Sequence, residues 1–193
     1  MKSIDLRVGE GVEERVVEAV GSCLSATFGL EVRRGGLFRE PPEALDEGRN
    51  QFSSTKLLQS LGGETSDNTH RMLGITGHDI FIPMLTFVFG QAQLGGRVAL
   101  VSLARLRQEF YRIPADPMLF LERACKESLH EVGHTFGLTH CRNRACAMAL
   151  STTIQHVDLK LAGFCTSCAT LLREGEGLLE VRPLKGFRLE DDL

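Results

Sequence analysis

His130-Glu131-Val132-Gly133-His134-Thr135-Phe136-Gly137-Leu138-Thr139-His140-Cys141 is the stretch that decides how this chain is read. Two histidines four residues apart on a helix lie one turn above each other and can share one metal ion. Glu131, beside the first of them, sits where a base can take a proton from water held by that metal. Gly137 lets the helix end in a left-handed residue, a conformation that most side chains resist, and the chain turns back there. His140 can then swing in as a third ligand. Three neutral imidazoles suit zinc, and three protein ligands leave one tetrahedral position for water. Such a centre activates water near neutral pH and polarises a carbonyl oxygen. With Glu131 taking the proton and handing it to a leaving amine, the chemistry is peptide-bond hydrolysis without a covalent intermediate. That proton transfer is worth roughly 10²- to 10⁴-fold in rate.

The helical phase agrees. At roughly 100° per residue, Leu121, Cys125, Leu129, Val132 and Phe136 share one stripe, while His130, His134 and Gly137 centre on the opposite side. One face packs on a core and the other faces a cleft. Asp116-Pro117 supplies the start: an acceptor at the N-cap, then a proline whose missing N–H costs nothing in the first turn.

A second pattern follows at once. Cys141, Cys146, Cys165 and Cys168 form C-x4-C and then, after eighteen residues, C-x2-C. The short spacings suit two chelating loops closing on one tetrahedral zinc, with no position left for water. The alternative is two disulfides, which a chain beginning without an apolar signal core disfavours. Cys23 and Cys125 fall on apolar helix faces and read as small core residues.

Residues 130–140 resemble the metzincin zinc proteases. Cys141 directly after the third histidine, then Cys146, Met148, Cys165 and Cys168, is similar to the archaemetzincin family within that clan. The resemblance implies a catalytic zinc on His130, His134 and His140, with Glu131 as general base and Met148 in the Met-turn beneath the metal. It also implies a second, structural zinc on the four cysteines, hence two Zn2+ ions. Residues 87–92 and 95–103 resemble the family's strands before the active-site helix. By that likeness Phe89, Gly90, Gln91, Ala92 and Gln93 form an edge strand that pairs with an extended peptide substrate through main-chain hydrogen bonds. Relatives in the family are associated with aminopeptidase activity, although no residue here is assignable to a substrate's α-amino group. Several metzincins use a tyrosine after the Met-turn; the only tyrosine here is Tyr111, upstream of the helix.

The rest of the chain bounds these readings. A length of 193 residues fits one catalytic domain, with lobes over 1–137 and 138–193. The net charge of −3, without a basic run, disfavours a nucleic-acid partner. No stretch approaches the roughly 18 apolar residues that span a bilayer, so the expectation is a cytoplasmic monomer acting on peptides or proteins. A strand over 4–8, a helix over 12–28 and a strand over 30–33 predict an opening parallel βαβ unit. Residues 34–50 read as loop, 55–61 as a helix, and 71–82 as one strand interrupted by a turn at Gly77-His78-Asp79. Strands over 87–93 and 98–103, a segment over 106–112 that leads into the active-site helix, a short helix over 157–161 and a last helix from Cys165 to Arg173 complete the pattern. The fold class expected is α/β: a twisted mixed sheet with helices, then a small zinc-braced C-terminal part. His70, His78 and His156 read as polar or hydrogen-bonded residues away from any metal.

Two other functions fit parts of this sequence. A binding module built on a protease frame would hold peptides without cleaving them, but has no need of Glu131. A zinc-dependent nucleic-acid hydrolase can carry a comparable histidine triad, but lacks the glutamate after the first histidine. Both stand behind peptidase.

Overall fold

The computed structural model describes residues 2–65, 69–178, 181 and 183. It opens with β1 (Ser3–Gly9), α1 (Glu14–Phe28) and β2 (Glu31–Phe38), the two strands running parallel. α1 buries Val16, Val17, Val20, Leu24 and Phe28, a helical apolar face, and ends at Gly29 with φ 64°. β2 runs on to Phe38 instead of ending at Arg33. Leu6 pairs with Arg34 but Val8 with Leu37, so Gly35 and Gly36 together oppose Arg7 in a bulge. A Cβ at Gly35 would lie 2.6 Å from the Leu6 carbonyl oxygen. The two glycines therefore keep a strand going where their composition suggested a loop.

The expected loop also contains β3 (Leu45–Asp46), and β4 (Gln51–Ser53) follows directly after it, then α2 (Ser54–Gly63), β5 (Arg71–Thr76) and β6 (Ile80–Phe81). β5 and β6 are not one interrupted strand. β6 pairs with β4 in a three-stranded sheet, β3-β4-β6, whereas β5 lies inside the main sheet. The turn between them is fixed by Asp79, which takes two bonds from Arg105, at 2.7 and 2.8 Å, and one from Gln51 at 2.8 Å.

β7 (Gly90–Ala92) and β8 (Val98–Ser102) complete a five-stranded mixed sheet in the order β2-β1-β5-β8-β7. All its pairs are parallel except β7 with β8. Every residue of β5 and β8 is buried, as expected for strands covered on both faces. Residues 104–106 and 108–111 make two 3₁₀ turns in the segment that leads into the next helix.

α3 (Pro117–Thr135) then packs with α1 against one face of the sheet, sharing a core with Ile4, Leu6, Leu73, Ile75, Ala99 and Val101. α2 covers the other face over Met72, Val98 and Leu100. The Asp116 carboxylate accepts the N–H of Leu119 at 3.0 Å, and Pro117 occupies the first turn, as the sequence predicts. After α3 come α4 (Ile154–Leu159), which starts three residues earlier than expected, and α5 (Thr166–Glu176). Of the terminal stretch 175–193, whose packing the sequence left open, most lies outside the described residues; Leu178 and Val181 are buried in the core. Among the described residues, no helix is long and apolar enough to cross a membrane.

Candidate active site

The second half of α3 carries His130, Glu131 and His134 into a cleft of about 530 Å³. Its apolar stripe, including Cys125, Leu129 and Val132, is buried against the core. The helix ends where Gly137, at φ 84°, donates its N–H to His134 O at 2.9 Å. That left-handed turn sends the chain back and brings His140 to the other two histidines. One ring nitrogen from each of the three lies within 4.8 Å of the others. His130 Nε2 and His134 Nε2 are 3.1 Å apart.

The remaining ring nitrogens show which face of each imidazole is free. His130 Nδ1 lies 2.8 Å from Ala147 O, and His134 Nδ1 lies 2.7 Å from Leu138 O. A carbonyl only accepts, so both Nδ1 atoms carry the proton and both Nε2 atoms present bare lone pairs to each other. Two lone pairs at 3.1 Å have no attraction without a cation between them. This outer-shell pattern is the one metal-ligating histidines use. Burial lowers the pKa of His130 well below its ordinary value, with the Lys160 charge adding to it. Burial also lowers His134 and His140. All three are held neutral, the form that binds zinc.

Glu131 is 5% exposed. Burial, then the neighbouring Glu127 charge, raise its pKa well above the usual carboxylate range, and Lys160 acts in the opposite direction. Gly90, at the start of β7, lies directly against its carboxyl group. Below the helix, Met148 is fully buried with its sulfur facing Gly133, the residue between the two histidine turns.

The cleft's upper wall is the segment leading into β7. Phe89, Gly90, Gln91 and Ala92 line it, with the apolar Leu85 and Phe87. Gln93 does not: its Oε1 accepts from Arg97 N at 3.2 Å within the hairpin turn. β7 is an edge of the main sheet, and its turn is tied to α3 by Gly95 N–H donating to His134 O at 2.9 Å. Tyr111 is remote, its hydroxyl donating to Arg105 O. Of the other histidines, His78 packs at a tilt against Phe52 and His156 is exposed beside Thr152.

The four cysteines converge next to this site, their sulfurs all within 4.8 Å of one another. Cys141 and Cys165 Sγ are 3.8 Å apart, far beyond a disulfide bond of about 2.05 Å. Burial pushes the Cys146 thiol up to about 11, and burial with the charges of Cys146 and Cys141 raises Cys168 further. Four thiolates this close repel one another without a cation between them, so the donor set suits a tetrahedral zinc closed to water. Gly133, Glu127 and Lys160 also belong to the active site's immediate surroundings, and no spacing motif marked them as such. Gly133 was visible as a glycine in mid-helix, a position that usually has a packing reason.

A twisted mixed sheet, a zinc-suited histidine triad on a helix that ends in glycine, and a buried methionine beneath it define a metzincin-type zinc metallopeptidase. Comparison with known proteins narrows this. The chain belongs to peptidase family M54, whose sequence model matches residues 43–174. It is 45% identical to the archaemetzincin of Methanocaldococcus jannaschii over 134 residues, 69% of this chain and 73% of that one. The crystal structure of archaemetzincin from Methanopyrus kandleri superposes with a TM-score of 0.82 at 36% identity, covering 91% of this chain and 96% of that one. A zinc-dependent peptidase from Methanocorpusculum labreanum gives 0.79 at 32% identity, over 88% and 99% of the two chains.

Proposed function

We propose that this zinc-dependent peptidase holds its catalytic zinc on His130, His134 and His140 and uses Glu131 as the general base. The observation that carries this is the convergence of two bare Nε2 atoms and His140 beside a buried carboxylate at the bottom of the cleft. When bound there, zinc lowers the pKa of a water and polarises the scissile carbonyl. Glu131 takes the proton from the attacking water on its carboxylate and passes it to the leaving amine. Burial and the neighbouring Glu127 raise its pKa, the direction that suits a carboxyl that must both take a proton and give it back. His130 and His134 are kept in orientation by Ala147 O and Leu138 O.

The substrate strand lies along Phe89, Gly90, Gln91 and Ala92, adding to the sheet at the open side of β7. Gln93 supports the turn at the end of that edge instead of meeting the peptide. Leu85, Phe87 and Leu150 give the cleft apolar walls for substrate side chains. A second zinc sits on Cys141, Cys146, Cys165 and Cys168 as a brace, for a total of two. Six cysteines with no disulfide among them suit a reducing compartment, which favours the cytoplasm.

Cleavage profiling on a diverse peptide library, with Glu131→Ala as the blank, tests the assignment. The expected result is cleavage by the wild type and, in the variant, a retained fold and zinc content with turnover lowered by roughly 10²- to 10⁴-fold. A variant that cleaves at the wild-type rate removes Glu131 from the mechanism. Metal analysis finding fewer than two zinc ions per chain removes the second site.

A further inference from the structure

α3 and the segment after α4 are joined beneath the cleft by two charges sealed from solvent. Lys160 is 1% exposed and Glu127 2%, and Lys160 Nζ lies 2.8 Å from Glu127 Oε1. The ammonium is also 3.4 Å from His130 Nδ1, the ring atom that donates to Ala147 O. Two donors do not bond each other, so Lys160 backs the ring without being its hydrogen-bond partner. On the cleft side, the Ser151 hydroxyl lies 3.5 Å from the same Glu127 oxygen.

A pair like this is a poor device for stability. Both ions lose their water, and apolar side chains of similar volume often serve the fold as well or better. The fold already has another tether one helical turn away, where Arg123 holds Asp158 at 2.7 and 2.8 Å. What distinguishes Lys160 is where its backbone runs. Leu161 N–H donates to Ala145 O at 2.9 Å, and Ala147 N–H donates to Gly163 O at 2.8 Å. The segment that delivers the ammonium is thus the one that clamps Ala147, whose carbonyl orients His130.

We propose that Lys160 and Glu127 form a positioning pair for the metal ligands. The pair fixes the register of α3 against residues 145–163. His130 Nδ1 then meets Ala147 O, and its Nε2 faces the other two histidines. The inference rests on the reading of that triad as a zinc site. It adds a positioning role for two residues outside the ligand set, of which Glu127 also lines the cleft.

The double variant E127M/K160M separates positioning from stability, because it removes both charges while keeping the volume. Its melting temperature should equal or exceed that of the wild type. Zinc at the three-histidine site, titrated against a chromophoric chelator, should be held roughly tenfold less tightly, the lower end of the usual outer-shell effect. On a cleaved peptide, kcat should fall more than KM rises. Wild-type zinc retention overturns the proposal, whatever the melting temperature does. Should the double variant not fold, Glu127→Gln decides, since it keeps the shape and an acceptor for the ammonium. Weaker zinc retention in that variant supports the pair, and unchanged retention overturns it. A wild type that holds zinc but cleaves no peptide would sink the peptidase mechanism alone, leaving the zinc titration to judge the pair.

Discussion

A Cβ built on Gly90 would lie 2.5 Å from Glu131 Cγ and 2.6 Å from its Oε1. The edge strand and the catalytic carboxylate are therefore packed without room for a methyl group. Gly90 has no positive φ, so the requirement for glycine here is space alone. Gly90→Ala should displace the Glu131 carboxylate while leaving the histidines in place. A misplacement near 1 Å costs about 10²-fold in rate. The expected outcome is zinc content and melting temperature near wild type with kcat down by about that factor. An active Gly90→Ala enzyme would show that Glu131 does not need this position.

Gly133 and Met148 repeat the relationship on the other side of the helix. A Cβ at Gly133 would lie 2.5 Å from the Met148 sulfur and 3.4 Å from Phe164 Cε1. Helix propensity alone favours alanine over glycine by roughly 0.5–1 kcal/mol. Overpacking a full core costs typically 1–3 kcal/mol, and Met148 is fully buried. Gly133→Ala should therefore lower the melting temperature, and adding Met148→Ala should recover part of the loss. A stabilised single variant would mean that Met148 moves aside freely.

The sequence carried the site further than it carried the scaffold. His130 to His140 is contiguous, and its ligands are set by helix pitch and one glycine turn, both local properties. The same holds for the opening βαβ unit. What escaped was decided at a distance. β3 and β4 are two and three residues long and exist because β6 pairs with β4. β2 continues through Gly35 and Gly36 because β1 is beside it. Lys160 and Glu127 are 33 residues apart with no spacing rule between them. Surface-type residues such as these reveal their burial only when the chain is folded.

The metal-free protein should show a defined pH dependence. His130, His134 and His140 are depressed below the ordinary 6.5 by burial, and His70 to about 4 by burial and then Arg71. Each contributes stability above pH 6.5 that is lost as the pH falls toward its folded value, because the unfolded chain binds the proton more readily. Glu131 is raised above 4.5, so its contribution is present below 4.5 and lost as the pH rises through its folded value. Between those limits four imidazoles oppose one carboxyl. With the histidine site stripped by chelator, the melting temperature should rise from pH 5 to 6.5, and Glu131→Gln should steepen the rise. A flat profile would contradict the burial of these rings.

The four-cysteine site should control the histidine site without touching it. Cys141 is bonded to His140, and its N–H donates to Met148 O at 2.8 Å. A metal that fixes the Cys141 thiolate thus fixes both the third histidine and the methionine beneath the other two. Cys146 lies two residues before Met148 and accepts from Cys165 N at 3.3 Å, tying that turn to the start of α5. Structural zinc contributes an apparent 10–16 kcal/mol in small zinc peptides, comparable with the roughly 5–15 kcal/mol that holds a whole domain together. His140 depends on this more than its partners do, being exposed and standing outside α3. Cys168→Ser removes one thiolate at the far end of the set, far from the histidines in sequence. It should lower the melting temperature and weaken zinc retention at His130, His134 and His140, with the weakening read by chelator titration. If both quantities match the wild type, the cysteines do not brace the catalytic centre, and His140 is held by the Gly137 turn alone.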